Sequence, residues 1–292
     1  ENITAIGALT VTQFNEIASK TSGIITATIS DNDMATLDGI AESGHSLTIS
    51  VTDDSANASN LNVLNAKTSV SVGVTSTRII GTFADLNDAF DADIAGTISG
   101  LGNEEIILNA AITVSQFNTL AAKTSGIITA TISDNDMATL DGITESGHAL
   151  TISVTDAVVL AADLNALDIR TTVAVAVSST TIAGSNNDIN SVYAASSAGT
   201  ITGLNDETLI ITDINIPAYS LNALDANTTG VVNAAALTTL TGTYAEINNV
   251  YTSNISSTIV GLGNENLIVT GALTVVQANT INALTTGIIT AT

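Results

Sequence analysis

The chain has 292 residues, no cysteine, no tryptophan, two histidines and 3% aromatic residues. Five Lys and Arg oppose 28 Asp and Glu, which gives a formal net charge of −23 at pH 7. Since phosphate binding depends on Lys and Arg, this charge excludes nucleic acid as a partner. A mean hydropathy of +0.42 excludes a disordered chain, and no apolar run reaches the roughly 20 residues of a membrane span. We therefore expect a folded protein without membrane insertion.

Internal repeats are the strongest signal in the sequence. Residues 23–53 recur as residues 126–156 with two differences, Ala41/Thr144 and Ser46/Ala149. Residues 1–28 recur as residues 265–292, with 17 of 28 positions identical. Because a fixed period is typical of repeat architectures, we predict that residues 1–292 form one continuous segment of a longer repeat array.

A shorter unit begins with an apolar-x-x-apolar box, such as Phe14–Ile17, whose second residue is usually Asn. Apolar residues three apart fit one or two turns of helix. The Asn has two interpretations, a local turn or cap residue and a ladder that bonds from unit to unit. The eleven boxes begin 20–32 residues apart, at Phe14, Met34, Leu61, Leu86, Phe117, Met137, Leu164, Ile189, Leu221, Ile247 and Ala278.

Segments of strict apolar/polar alternation lie between the boxes, for example residues 25–30 and 47–52. A period of two predicts strands with an aliphatic inner face and a Thr- and Ser-rich outer face. Together the strands and boxes predict a mainly β fold, a parallel β-solenoid with short helical corners and about eleven coils of 20–32 residues.

Acidic turns are the candidate metal sites. Their carboxylates bunch in loops of the duplicated block, and oxygen ligands suit calcium. Plain solvated turns are the alternative, because the spacing does not match an EF-hand and the glycine-aspartate nonapeptide of calcium-binding repeats is absent. Calcium is the one cofactor considered, and the candidate ligands are Asp31, Asp33, Asp38, Asp134, Asp136 and Asp141.

No catalytic constellation is visible. His45 and His148 occupy equivalent ESGH turns, without a nucleophile or an orienting group that recurs beside them. The sequence of residues 100–104, GLGNE, lacks the third glycine of a dinucleotide loop, so we interpret it as a glycine turn between strands. We expect a protein that is not an enzyme.

The blocks TSGIITATISDNDMATLDGI, GHSLTISVTD and TISGLGNEEIILNA resemble the tandem repeats of very large, acidic, cysteine-free surface and secreted proteins of marine bacteria, particularly cyanobacteria. The resemblance covers essentially the whole chain. It implies an extracellular or cell-surface location and a likeness to adhesins and to surface-layer or sheath proteins, which often depend on calcium. The family offers no catalytic motif.

The function expected from these features is mechanical: part of a fibre, stalk or surface coat with a spacing or adhesion role. The expected partner is a further copy of the chain, joined end to end or laterally into filaments. An alternative function is an ice- or polysaccharide-binding module, in which outward rows of Thr, such as Thr26 and Thr28, present a regular lattice of hydroxyl groups.

Overall fold

A computed structural model describes residues 1–291 as two compact units. Unit 1 consists of Glu1–Asp134 and Gly142–Thr151, and unit 2 consists of Asn135–Asp141 and the chain from Ile152 onward. In both units short strands alternate with helices along the chain. The prediction of one continuous segment of a longer array stays a prediction.

The helices of residues 1–291 coincide with the apolar-x-x-apolar boxes, one helix for each box. Thr10 begins α1 with a capping box, in which its hydroxyl accepts the N–H of Gln13 and the Gln13 side chain accepts the N–H of Thr10. In chain order the eleven helices are α1 Val11–Ala18, α2 Met34–Leu37, α3 Ala58–Asn65, α4 Phe83–Ile94, α5 Val114–Ala121, α6 Met137–Leu140, α7 Ala161–Asp168, α8 Asn186–Ala198, α9 Ala218–Asn227, α10 Tyr244–Ser256 and α11 Val275–Asn282.

The strands of unit 1 are two to four residues long and form three parallel sheets. Their orders are β1-β2-β3, β4-β6-β8 and β11-β10-β9-β7-β5. The bounds are β1 Ile3–Thr4, β2 Ile25–Thr28, β3 Ser46–Thr48, β4 Ser50–Val51, β5 Ser55–Asn57, β6 Val72–Val74, β7 Arg78–Gly81, β8 Ile98–Ser99, β9 Glu105–Leu108, β10 Ile128–Thr131 and β11 Ala149–Thr151.

Unit 2 has the same construction, again with three parallel sheets. Their orders are β12-β14-β16, β13-β15-β17-β19-β21 and β18-β20-β22-β23. The bounds are β12 Ser153–Val154, β13 Val158–Leu160, β14 Val175–Val177, β15 Thr181–Gly184, β16 Ile201–Thr202, β17 Thr208–Ile211, β18 Asn215–Pro217, β19 Val232–Asn233, β20 Thr239–Gly242, β21 Ile259–Val260, β22 Asn266–Val269 and β23 Ile289–Ala291.

The core is aliphatic and follows the predicted alternation. In β2, Ile25 and Ala27 are buried while Thr26 and Thr28 are exposed. The same residue type faces the same side in neighbouring strands, because parallel pairing aligns Ala27 with Leu47 and Thr28 with Thr48. Most helices add the first and fourth positions of their box to this core, as Leu61 and Leu64 do in α3.

The predicted mainly β solenoid is wrong. The chain is mixed α/β, 33% helical, with six small parallel sheets, and no sheet is curled. Seven of the eleven boxes in residues 1–291 do lie on helices of four or eight residues, about one or two turns, whereas α4, α8, α9 and α10 extend to 10 to 13 residues. The fold class differs because the strands, of two to four residues each, contribute less of the chain than the helices do.

Candidate functional site

The acidic turn of unit 1 places two of the calcium candidates at helix N-termini. Asp31 Oδ2 accepts the N–H of Val11, the first residue of α1, at 2.6 Å. Asp33 is the N-cap of α2, where its Oδ1 accepts the N–H of Thr36 at 2.9 Å. This backbone hydrogen bond, aided by the Thr36 hydroxyl, lowers the pKa of Asp33 below its ordinary value. Asp38 lies at the other end, as the C-cap of α2.

The duplicated acidic turn repeats these contacts. Asp134 Oδ2 accepts the N–H of Val114 at 2.7 Å, at the start of α5. Asp136 is the N-cap of α6 and accepts both the N–H and the hydroxyl of Thr139. Asp141 is the C-cap of α6. A negative charge near a helix N-terminus is favourable, because four N–H groups there have no partner within the helix.

The six predicted ligands therefore face helix termini and do not converge on one point. Among residues 1–291, no group of three or more His, Asp or Glu side chains is arranged to hold a metal ion. Calcium binding stays a prediction. What the acidic turns do here is cap helices.

Sequence reasoning missed three further carboxylates with the same task. Asp53 accepts the N–H of Met34 at 2.8 Å, and Asp156 accepts the N–H of Met137 at 2.7 Å. Asp213 accepts the N–H of Asn186, the first residue of α8, at 2.6 Å. Each carboxylate lies 19 to 27 residues after the helix that it caps. In the sequence, these caps are marked by an Asp that lies about one repeat after the start of a helix.

The two histidines are structural. His45 Nδ1 accepts the N–H of Ile25 at 3.1 Å, and the imidazole meets the ring of Phe14 edge to face. His148 does the same with Ile128 and Phe117. Burial lowers the pKa of His148, and the nearby Glu145 opposes that shift. Each imidazole therefore holds neighbouring repeats together as a hydrogen-bond acceptor.

Five of the box asparagines bond from one repeat to the backbone of the next, whereas Asn87 and Asn190 bond within their own helices. Asn15 Nδ2 donates to Gly39 O at 2.7 Å, and its Oδ1 accepts the N–H of Ala41. Asn62 donates to Asp85 O and Asn222 to Glu246 O, 23 and 24 residues further on. These contacts between repeats confirm the interpretation of a ladder that bonds from unit to unit, with backbone groups as the partners. They contribute to holding successive repeats in register.

Three buried glutamates form a second feature that sequence reasoning missed. Glu104, Glu207 and Glu265 follow glycine or asparagine turns and are almost fully buried. The phenol of Tyr193 donates to Glu207 Oε2 at 3.0 Å, and the phenol of Tyr251 donates to Glu265. Burial first, and then the neighbouring glutamate, raise the pKa of both tyrosines above the ordinary 10.0. In the sequence, this pair is marked by a Tyr placed 14 residues before a Glu, as in Tyr193 and Glu207.

One apolar face is uncovered, and it is formed by α11 and β23. Val11 of α1 is 5% exposed, whereas its repeat equivalent in α11, Val275, is 77% exposed. Ile289 of β23 is half-buried, whereas its repeat equivalent, Ile25, is fully buried. The α11–β23 face contains a cavity of about 550 Å³, lined by Leu273, Ala278, Asn279, Asn282, Ile289 and Ala291.

The α11–β23 face is also uncharged, since residues 266–292 contain no Asp, Glu, Lys, Arg or His. Asn279 is the repeat equivalent of Asn15, yet within residues 1–291 its side chain has no hydrogen-bond partner. In α1 the same helix face is covered by the following repeat. The α11–β23 face thus has the composition of an inner repeat surface.

The outward Thr rows are short. Thr4, Thr26 and Ser46 align across β1, β2 and β3. In the larger sheet of unit 1 the row that contains Thr129 is interrupted, because its partners are Ile107 and Ala149. A flat lattice of hydroxyl groups extends across three strands at most in these two sheets.

Comparison with protein-family models, curated proteins and solved structures finds no match for this chain. The assignment of a function therefore rests on the geometry above. None of the helices within residues 1–291 has both the length and the apolar composition needed to cross a membrane.

Proposed function

We propose that this chain is a non-enzymatic structural repeat protein of the cell surface or extracellular space, a component of a fibre, stalk or coat with a spacing or adhesion role. Copies associate through the α11–β23 face. The observation that carries the proposal is the contrast between Val11, buried under the next repeat, and Val275, exposed at the equivalent position.

A second copy is the occupant that the charge favours. With a net charge of −23, two copies repel each other over most of their surface. The uncharged α11–β23 face is a place where that repulsion is weakest, and burying its aliphatic side chains contributes about 25 cal/mol for each Å² removed from water. Contact there needs no pairing of opposite charges.

Strand addition supplies the geometry of the contact. Every strand pairing in the part of the chain that the structure describes is parallel, and β1 and β23 each end a sheet with one unpaired edge. We propose that β23 of one copy pairs in parallel with β1 of the next, which provides backbone hydrogen bonds. Because the two joined surfaces differ, the association is heterologous and can propagate into an open filament or close into a ring.

The test is sedimentation velocity of the 292-residue chain over a wide range of concentrations, combined with negative-stain electron microscopy. We expect concentration-dependent oligomers that grow as salt screens the net charge. Adding calcium and then a chelator in parallel samples tests the calcium prediction. A chain that stays monomeric at every concentration and salt level contradicts the proposal.

Two variants separate the α11–β23 face from general hydrophobic association. Val275→Lys puts a charge on the face and should abolish assembly. Ile169→Lys is the matched control, because Ile169 is 72% exposed and lies after α7, away from α11 and β23 in the sequence. Equal assembly of both variants would show that copies join through another surface.

A further inference from the structure

A cavity of about 370 Å³ lies in unit 1, beside the turn that follows β8. It is lined by residues 74–77 and by Gly100, Asn103 and Glu104. Gly100 adopts φ +98, and a Cβ there would lie 2.2 Å from the carbonyl oxygen of Val74. The wall of the cavity therefore requires glycine at this position, since any side chain would collide with the backbone.

Two buried polar groups in this cavity have unused hydrogen-bonding capacity. Ser76 is 4% exposed, and its Oγ has no partner among residues 1–291. Glu104 is 3% exposed, and its Oε2 accepts the N–H groups of Gly102 at 2.7 Å and Asn103 at 3.1 Å. No donor within residues 1–291 reaches Glu104 Oε1. Ser76 Oγ and Glu104 Oε1 are therefore both available to a ligand that donates hydrogen bonds.

The equivalent turn in unit 2 shows what such a donor does. Glu207 lies 103 residues after Glu104, and Tyr193 lies 103 residues after Phe90. The Tyr193 phenol donates to Glu207 Oε2, while both oxygens of Glu207 lie within hydrogen-bond distance of the N–H of Asn205. Phe90 has no hydroxyl group, so the turn in unit 1 keeps the acceptor but lacks the donor.

We propose that the Glu104 cavity binds the primary ammonium group of a small amine. An ammonium group carries three N–H donors and one positive charge, which suits a carboxylate together with a serine oxygen. The cavity is larger than a single monovalent ion requires, so there is room for the carbon chain of the amine. The net charge of −23 also concentrates cations near the protein.

The charges around the cavity agree with a cationic ligand. Asp93 Oδ1 accepts the N–H of Leu101 at 3.1 Å, which adds a second carboxylate beside the turn. Arg78 follows the cavity residues 74–77, but its guanidinium is paired with Glu105 at 2.7 Å. An ammonium group at Glu104 therefore meets a local excess of negative charge.

The experiment is titration of the 292-residue protein with butylammonium chloride, followed by calorimetry and by the amide NMR signals of Gly102 and Asn103. Saturable binding with shifts at these two amides is expected. In Phe90→Tyr the new phenol should donate to Glu104, so binding should weaken about ten- to hundredfold, the effect of losing a hydrogen bond to a charged group. This variant keeps the net charge, so attraction of cations to the surface is unchanged.

The controls make each result decisive. 1-Butanol has the same chain without the charge, and equal binding of butanol would overturn the choice of an ammonium group. Ser76→Ala tests the site without altering the aromatic ring and should also weaken binding. Wild-type protein and Phe90→Tyr that bind alike, or wild-type protein that does not bind, would overturn the proposal.

Discussion

The turn after α4 in unit 1 and the turn after α8 in unit 2 are built from the same backbone with different side chains. Each ends in a buried glutamate, Glu104 or Glu207, that accepts backbone N–H groups of its own turn. Tyr193 donates to the second glutamate, whereas Phe90 stands at the equivalent position beside the first. The comparison shows that the turn forms without the aromatic hydroxyl group.

The same two regions differ at the start of the helix. Asp213 caps α8, but the residue 103 positions earlier is Ala110, so α4 lacks this carboxylate. The backbone around both positions is the same, because Asn109 N–H donates to Gly81 O and Thr212 N–H donates to Gly184 O. The repeat therefore tolerates the loss of a cap and of a phenol while keeping its strand pairing. These differences can be tested by exchanging residues between the two regions.

The largest effect is expected at the buried glutamates. Glu207→Ala leaves the phenol of Tyr193 and the N–H of Asn205 without an acceptor, and we expect a loss of about 3 kcal/mol in the free energy of unfolding. Glu104→Ala leaves backbone N–H groups of a half-exposed turn, which water can reach, and should cost about 2 kcal/mol. Urea unfolding followed by circular dichroism measures both. Equal losses would contradict a contribution from the phenol.

Exchange of the aromatic residues should change stability in opposite directions. Tyr193→Phe removes a buried hydrogen bond to Glu207, and we expect a loss of about 1.5 kcal/mol. Phe90→Tyr supplies the missing donor to Glu104 and should gain up to about 1 kcal/mol. The same urea experiment applies, and hydrogen exchange at Gly102 and Asn205 reports each turn separately. A destabilised Phe90→Tyr would mean that the cavity beside Glu104 cannot accommodate the phenol.

Much of the local structure could be predicted from the sequence. The boxes beginning at Phe14 and Leu61 do lie on helices, and Ile25 and Ala27 do point inward, because apolar spacing of three or two residues follows directly from helix and strand geometry. The fold class could not be predicted in the same way. How far a helix extends beyond its box depends on caps supplied by the next repeat, as Asp31 does for α1.

The polar contacts were harder to predict for a related reason. Asp31 and Asp33 were noticed as a cluster of carboxylates, yet their partners are N–H groups of two different helices. Sequence spacing brings their Cα atoms close but does not fix the direction of each side chain. Glu104 and Glu207 look like ordinary surface residues in the sequence, and only the pairing of strands around them buries them.

Alkaline pH should distinguish the two regions with a smaller effect. The folded state raises the pKa of Tyr193, so an unfolded chain loses this proton first, and the stability that the phenol supplies is present below pH 10 and lost as the pH rises further. Between pH 9 and pH 11 we expect Tyr193→Phe to lose about 1 kcal/mol less than the wild-type protein. Parallel urea unfolding at each pH measures this difference, and identical pH profiles would argue against a buried neutral phenol.

The smallest expected effect concerns the helix caps. Ala110→Asp places a carboxylate where it can accept the N–H of Phe83, the first residue of α4, as Asp213 does for Asn186 in α8. We expect a gain of about 0.5 kcal/mol in the free energy of unfolding, reduced at high salt because Ala110 is exposed. Asp213→Ala should show the opposite sign, and Ala110→Asn keeps the acceptor without the charge. If Asn matched Asp at every salt concentration, the hydrogen bond and not the charge would account for capping between repeats.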